Sequence, residues 1–194
     1  MNRTRTFVAL PVSTTVKQLA AHWMQRLNES AQNVKWVAVD NLHLTLKFLG
    51  EVPTVELAEI CQRVTSAVSA CPPLEIECDH LGAFPSSSRP RTLWLGVGAG
   101  AEQVSQLQEA VEQSLQPLGF RRERRQYHPH ITLGRLRSSV ASSPDLPGLL
   151  DAAEFGSPVG CLVEEVLVVA SQMTREGPDY QRIATISLEK TVSS

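Results

Sequence analysis

The sequence predicts an α+β fold: a bilobal, duplicated unit in which two antiparallel sheets with outer helices are related by a pseudo-two-fold axis around a central cleft. Three observations lead there. Short apolar or alternating runs of strand length interleave with segments of helical period. The tetrapeptides His43-Leu44-Thr45-Leu46 and His130-Ile131-Thr132-Leu133 recur at a separation of 87. The flanking elements recur with them. Phe7, Val8 and Leu10 fall on Trp94, Leu95 and Val97 at the same offset, and the helix positions Val16, Leu19, Trp23 and Leu27 fall on Val104, Leu107, Val111 and Leu115 at 88, one residue of loop slippage away. Self-similarity of this kind marks duplication. The repeats span roughly residues 5–50 and 92–137 of a single domain covering residues 1–194.

Each element follows from its residues. Phe7 to Leu10 is a short apolar strand. Ser13-Thr14-Thr15 offers helix caps, and the apolar positions that follow define an amphipathic helix to about Leu27. Val34 to Val39 comes next, and Leu42 to Gly50 alternates as a strand. Pro53-Thr54 opens a helix with Ile60, Val64, Ala67 and Val68 on one face. Leu74 to Cys78 is a strand, Pro85 to Pro90 a Ser/Pro loop, and Thr92 to Val97 another strand. A helix runs from about Ala101 to Gln116 and is ended by Pro117 and Gly119. Ser138 to Pro147 reads as an exposed loop, Leu149 to Ala153 as a short helix, and Leu162 to Ala170 as a strand. Thr174 to Asp179 is a loop, and Ile183 to Leu188 is the closing strand.

Composition limits the function classes. Hydrophobic residues make up 42%, charged residues 20% and aromatic residues 5%, an ordinary soluble globular balance. A net charge of -2 excludes a globally basic nucleic-acid coat, so an anionic ligand needs a local cluster. Cys61, Cys71, Cys78 and Cys161 form no CxxC pair and read as small buried hydrophobes. Phe7 to Leu10 is too short for a signal-peptide core, and no run approaches the length of a membrane span. A cytoplasmic monomer is the expectation.

The paired tetrapeptides carry the chemistry. Strand side chains alternate, so His43 and Thr45 share one face, as do His130 and Thr132, while Leu44, Leu46, Ile131 and Leu133 point into the core. Packed about a two-fold axis, the polar faces meet. Two imidazoles and two hydroxyls then line one cleft. One neutral imidazole can take a proton from water while the other, protonated, gives one to a leaving oxygen. The threonines can donate to the oxygens that carry charge in a transition state. The residues themselves do not say which histidine is acid and which is base.

The segments Asn-Leu-His-Leu-Thr-Leu-Lys-Phe-Leu-Gly around residue 45 and Pro-His-Ile-Thr-Leu-Gly-Arg around residue 132 resemble the two signatures of the 2H phosphoesterases. The likeness is to the RNA 2′,3′-cyclic phosphodiesterase (2′-5′ RNA ligase) family, and it runs from Phe7 to Tyr180. The resemblance implies opening of an RNA 2′,3′-cyclic phosphate end to a 2′-phosphate, with 2′-5′ ligation as a secondary, reverse-type reaction. It implies His43 as proton donor and His130 as acceptor, with no cofactor and no metal. The alternatives are a nucleotide- or RNA-binding module without turnover, or a phosphodiesterase for another small cyclic phosphate.

Five further features stand out. Arg135 lies an odd number of residues from His130 and belongs on the opposite strand face unless a bulge at Gly134 redirects it to a substrate phosphate. Arg121, Arg122, Arg124 and Arg125 form either a solvated turn or a guide for an RNA backbone. Phe48, Trp36 and Tyr127 could stack on a base, with core packing favoured for the first two. His128-Pro-His130 lacks a third ligand for a metal. Gly96-Val-Gly98-Ala-Gly100 looks like a dinucleotide fingerprint but reads better as a turn that opens a helix.

Overall fold

The computed structural model describes residues 2–31, 33–136, 146–174 and 177–189. Its strands are β1 (Arg3–Pro11), β2 (Val34–Trp36), β3 (His43–Pro53), β4 (Leu74–Phe84), β5 (Thr92–Val97), β6 (His130–Leu136), β7 (Val159–Val163), β8 (Glu165–Met173) and β9 (Pro178–Ser187). The helices are α1 (Thr14–Ser30), α2 (Leu57–Val68), α3 (Ala101–Leu115) and α4 (Leu146–Asp151). The strand order β7-β4-β5-β6-β3-β1-β8-β9, with β2 on β6, divides into two antiparallel halves of four strands each. The halves meet at β3 and β6 through one residue pair, Leu44 opposite Ile131. The two sheets expected from the repeat are thus joined into a single curled sheet, and the seam falls between the two His-x-Thr strands.

All four helices cover one face. Val8, Leu10, Leu44, Leu46, Leu95, Ile131 and Leu133 point to that face and share one core with α1, α2 and α3. α1 lies against β6 and β7 and touches α4, while α3 lies against β3 and touches α2. The expected cap at Ser13 is present: its Oγ accepts from the Val16 N–H at 3.2 Å. The opposite face is open. It carries a small second cluster of Phe7, Ala9, Leu167 and Val169, with Tyr180 packed against it.

Several boundaries differ from the sequence expectation. The apolar run near Leu162 is two strands, β7 and β8, broken at Glu164. β4 continues through Phe84, and β9 begins at Pro178, inside the expected loop. Both extensions are strands whose exposed faces blur the apolar pattern. The expected loop from Ser138 lies outside the described residues up to 145, and α4 then starts at Leu146. Gly98 and Gly100 have a packing reason. A Cβ on Gly98 would sit within 1.9 Å of the Asp79 carboxylate. On Gly100, which has φ +85°, it would sit 2.2 Å from the Glu75 carbonyl oxygen. The glycine-rich turn therefore lets α3 begin close against β4. Cys78 and Cys161 are buried as expected, whereas Cys61 and Cys71 are half-buried.

Candidate active site

The Leu44–Ile131 pairing places the motifs side by side and antiparallel. With both leucine-type residues in the core, His43 and Thr45 flank the bridge on the open face of β3, and His130 and Thr132 flank it on β6. All four are partly buried. Each imidazole is held in the same way. Nδ1 of His43 lies 2.7 Å from the Asn41 carbonyl oxygen, and Nδ1 of His130 lies 2.6 Å from that of His128. A carbonyl only accepts, so Nδ1 carries the proton and donates it. Nε2 is the other nitrogen of each ring. Asn41 and His128 are themselves 87 residues apart, so the orienting contact belongs to the repeat. His128 thus acts on its neighbour through its main chain.

Aromatic rings wall each imidazole. Phe7 stacks on His43 with centroids 4.7 Å apart, and Tyr180 meets it edge-on at 5.5 Å. Trp94 lies 5.9 Å from His130, and Phe84 meets it edge-on at 5.0 Å. Phe7 and Trp94 are repeat partners. Their match was visible in the sequence, but an aromatic in an apolar strand reads as core. Gly82 makes room for the second wall: a Cβ there would fall 2.2 Å from the Trp94 ring.

Matched β-bulges finish the site. On β6, Thr132 pairs with Trp94 and Gly134 with Leu93, so Leu133 is the extra residue. Arg135 then faces Thr92. Because Trp94 and Thr92 share a face, Thr132 and Arg135 share it too, and the alternation expected to turn Arg135 away is reset. On β3, Thr45 pairs with Ala9 and Lys47 with Val8, leaving Leu46 extra. Phe48 therefore joins His43 and Thr45 on the open face. It is 49% exposed and 6.0 Å from Phe7. Core packing of Phe48 is thus not found. Trp36 is partly buried against the core and donates from Nε1 to Asn28 at 2.9 Å.

Lys47, turned inward by its bulge, is buried with Glu112 of α3 at 2.5 Å and also donates to the Arg121 carbonyl. The Glu112 carboxylate accepts from the Glu123 N–H at 3.0 Å. Tyr127 donates its hydroxyl to the Thr45 carbonyl at 2.8 Å. It packs against the core and straps β3 instead of offering a free stacking face. Arg122 pairs with Glu109 at 2.5 Å. The arginine run therefore edges a recess of about 390 Å³ on α3, on the helix side of the sheet.

Electrostatics act on both imidazoles. Burial pushes His43 below the ordinary 6.5, the Asn41 hydrogen bond works the other way, and His130 adds to the lowering. His130 is lowered chiefly by burial against the His128 hydrogen bond, with His128 and Arg135 adding positive charge nearby. Among the described residues no group of three or more metal-ligating side chains gathers, and no helix is long and apolar enough to cross a membrane.

A sequence model of the 2′-5′ RNA ligase superfamily matches residues 15–173. The chain belongs to this superfamily. Its relatives include a protein of Aeropyrum pernix, 37% identical over 153 residues that cover 77% of this chain and 84% of the relative. Another, from Thermotoga maritima, is 32% identical over 178 residues, covering 91% of each. Both are named RNA 2′,3′-cyclic phosphodiesterase. Among solved structures, Escherichia coli LigT complexed with 3′-AMP superposes with a TM-score of 0.76 at 26% identity, covering 97% of this chain and all of that one (100%). A Thermus thermophilus protein, TT0787, shares the fold with a TM-score of 0.78 at 24% identity, covering 95% and 97%. The superfamily fold thus spans nearly the whole chain.

Proposed function

We propose that this superfamily member hydrolyses RNA 2′,3′-cyclic phosphate ends to 2′-phosphomonoesters. The observation that carries the reading is the pair of imidazoles on adjacent strands, each with Nδ1 fixed by the carbonyl two residues before it. In the proposed reaction, Nε2 of His130 takes a proton from water as the water oxygen bonds to phosphorus. The bond from phosphorus to O3′ breaks, and Nε2–H of His43 protonates O3′. The phosphate stays on O2′. Thr45 and Thr132 donate to the non-bridging oxygens, and Arg135 offsets the phosphate charge. The names of the relatives support the substrate class.

The roles divide where the repeat is broken. The bulged position that ends the His130 motif on the cleft face holds Arg135, and its counterpart at the end of the His43 motif holds Phe48. A fixed positive charge near His130 disfavours its protonated form, which suits a base. His43 has no such fixed charge at the matching position, which leaves it as the acid. A cytoplasmic monomer acting on oligoribonucleotide ends, without a metal, completes the proposal; ligation would be the reverse-type reaction, with a 5′-hydroxyl in place of water.

A product-resolved assay on a cyclic-phosphate-terminated oligoribonucleotide in EDTA tests it. The expected product is the 2′-phosphate at an undiminished rate. A 3′-phosphate product overturns the assignment of the broken bond, and loss of turnover in EDTA overturns the side-chain mechanism.

A further inference from the structure

β2 is the edge strand beside β6, and its register puts Lys35 directly opposite Arg135. Directly opposed residues of an antiparallel pair point to the same face. The bulge at Leu133 has turned Arg135 to the histidine face, so Lys35 faces the cleft with it. Both are exposed. Two like charges opposed across a ladder destabilise it, and no ion pair among the described residues relieves them. The nearby cleft-facing positions are His130 and Thr132 on β6, Thr92, Trp94 and Gly96 on β5, and His43, Thr45 and Phe48 on β3. None is acidic. A chain of net charge -2 thus keeps an unbalanced cationic pair at one end of its cleft floor. The same end lies near Tyr180, whose hydroxyl feels the positive charge of Arg135.

We propose that Lys35 clamps the phosphodiester on the 5′ side of the terminal nucleotide while Arg135 beside it stays on the cyclic phosphate, so that the upstream RNA leaves the cleft over β2. The inference rests on the phosphodiesterase reading and adds the strand path and a preference for oligonucleotides. A nucleoside 2′,3′-cyclic phosphate has no 5′ phosphodiester, whereas a dinucleotide has one. The arginine run at Arg121 to Arg125 is the other basic feature, but it sits on the helix side with Arg122 already paired to Glu109 and Glu112.

The experiment compares kcat/KM for adenylyl-adenosine 2′,3′-cyclic phosphate with that for adenosine 2′,3′-cyclic phosphate. Lys35→Gln is expected to lower the dinucleotide-to-nucleoside ratio roughly tenfold, the scale of one hydrogen bond to a charged oxygen. The log–log salt dependence of the dinucleotide reaction should become shallower by about 0.7, one single-strand phosphate contact. Lys35→Arg should restore both. The Tm of unliganded Lys35→Gln should equal or exceed that of the wild type, because a like-charge repulsion is removed. An unmoved ratio overturns the clamp, and so does a lower Tm with equal losses on both substrates. A ratio lowered by neutralising Arg121, Arg124 and Arg125 together, but not by Lys35→Gln, sends the RNA the other way and also overturns it. Wild-type protein that turns over neither substrate overturns the phosphodiesterase reading and the clamp with it.

Discussion

Replacing Lys47 by methionine tests how the helix layer supports the cleft. The Lys47 and Glu112 side chains are only 2% and 4% exposed. Removing the ammonium leaves a buried carboxylate without its main counter-ion, which costs about 3–5 kcal/mol. The low end applies here, because the Glu123 N–H still donates to Glu112 and Arg122 Nε stays 3.8 Å from it. Against a total stability of roughly 5–15 kcal/mol for a domain, that loss is large. Lys47→Met with Glu112→Leu removes both charges and should recover most of it. Urea unfolding at neutral pH, with m compared among the three proteins, reads the difference. The acid response follows with a definite sign. Burial alone would raise the Glu112 carboxyl, but Lys47, the Glu123 N–H and Gln108 hold it below the ordinary 4.5. Its contribution is therefore full above pH 4.5 and is lost as pH falls through the folded value. The double variant should lack that loss. A single variant costing under about 1 kcal/mol, or a double variant as unstable as the single one, would refute the reasoning.

Four other outcomes are expected. His43→Ala and His130→Ala should each lower kcat by roughly 10²–10⁴-fold with the fold intact by circular dichroism; a near-normal rate in either removes the dyad. Because both histidines are held below 6.5, the alkaline limb of kcat/KM, where the acid loses its proton, should begin below pH 6.5. A flat profile over about pH 5 to 8 contradicts this. The same lowering means that the two imidazoles favour the folded state fully above pH 6.5 and withdraw that stability as pH falls, so the double alanine variant should show a weaker Tm decline on acidification. Asn41→Ala breaks the side-chain hydrogen bond to the Pro178 carbonyl at 3.0 Å while the main-chain carbonyl still holds His43. KM should rise several-fold with kcat little changed, about the scale of one hydrogen bond, and a matching fall in kcat would show that the tie acts on His43 itself.

The fold and the motif strands were legible in the sequence because both rest on period. Helical spacing placed α1 and α3, and alternation placed β3 and the first half of β4. The repeat needed only matched spacing, and it led to an imidazole pair at the seam. What escaped was whatever interrupts the period. β7 and β8 merged into one strand because Glu164 is a single residue between two apolar runs. Counting alternation through a bulge favours the core for Phe48 and leaves the face of Arg135 open between two alternatives, because a bulge leaves little local signal when its extra residue is a leucine. Gly134 was the one hint. A Cβ there would meet Val34 at 2.5 Å and Trp36 at 2.7 Å, so the glycine admits β2. The repeat counterpart, Lys47, shows the alternative use of the same inward position. There a long side chain fills the space and reaches Glu112. The two bulges are thus one inherited device with two fillings. Its consequence on the open face is a cation at the end of the His130 motif and an aromatic ring at the end of the His43 motif. The symmetry that brings two imidazoles together is broken at this position, where only the His130 motif carries a fixed charge.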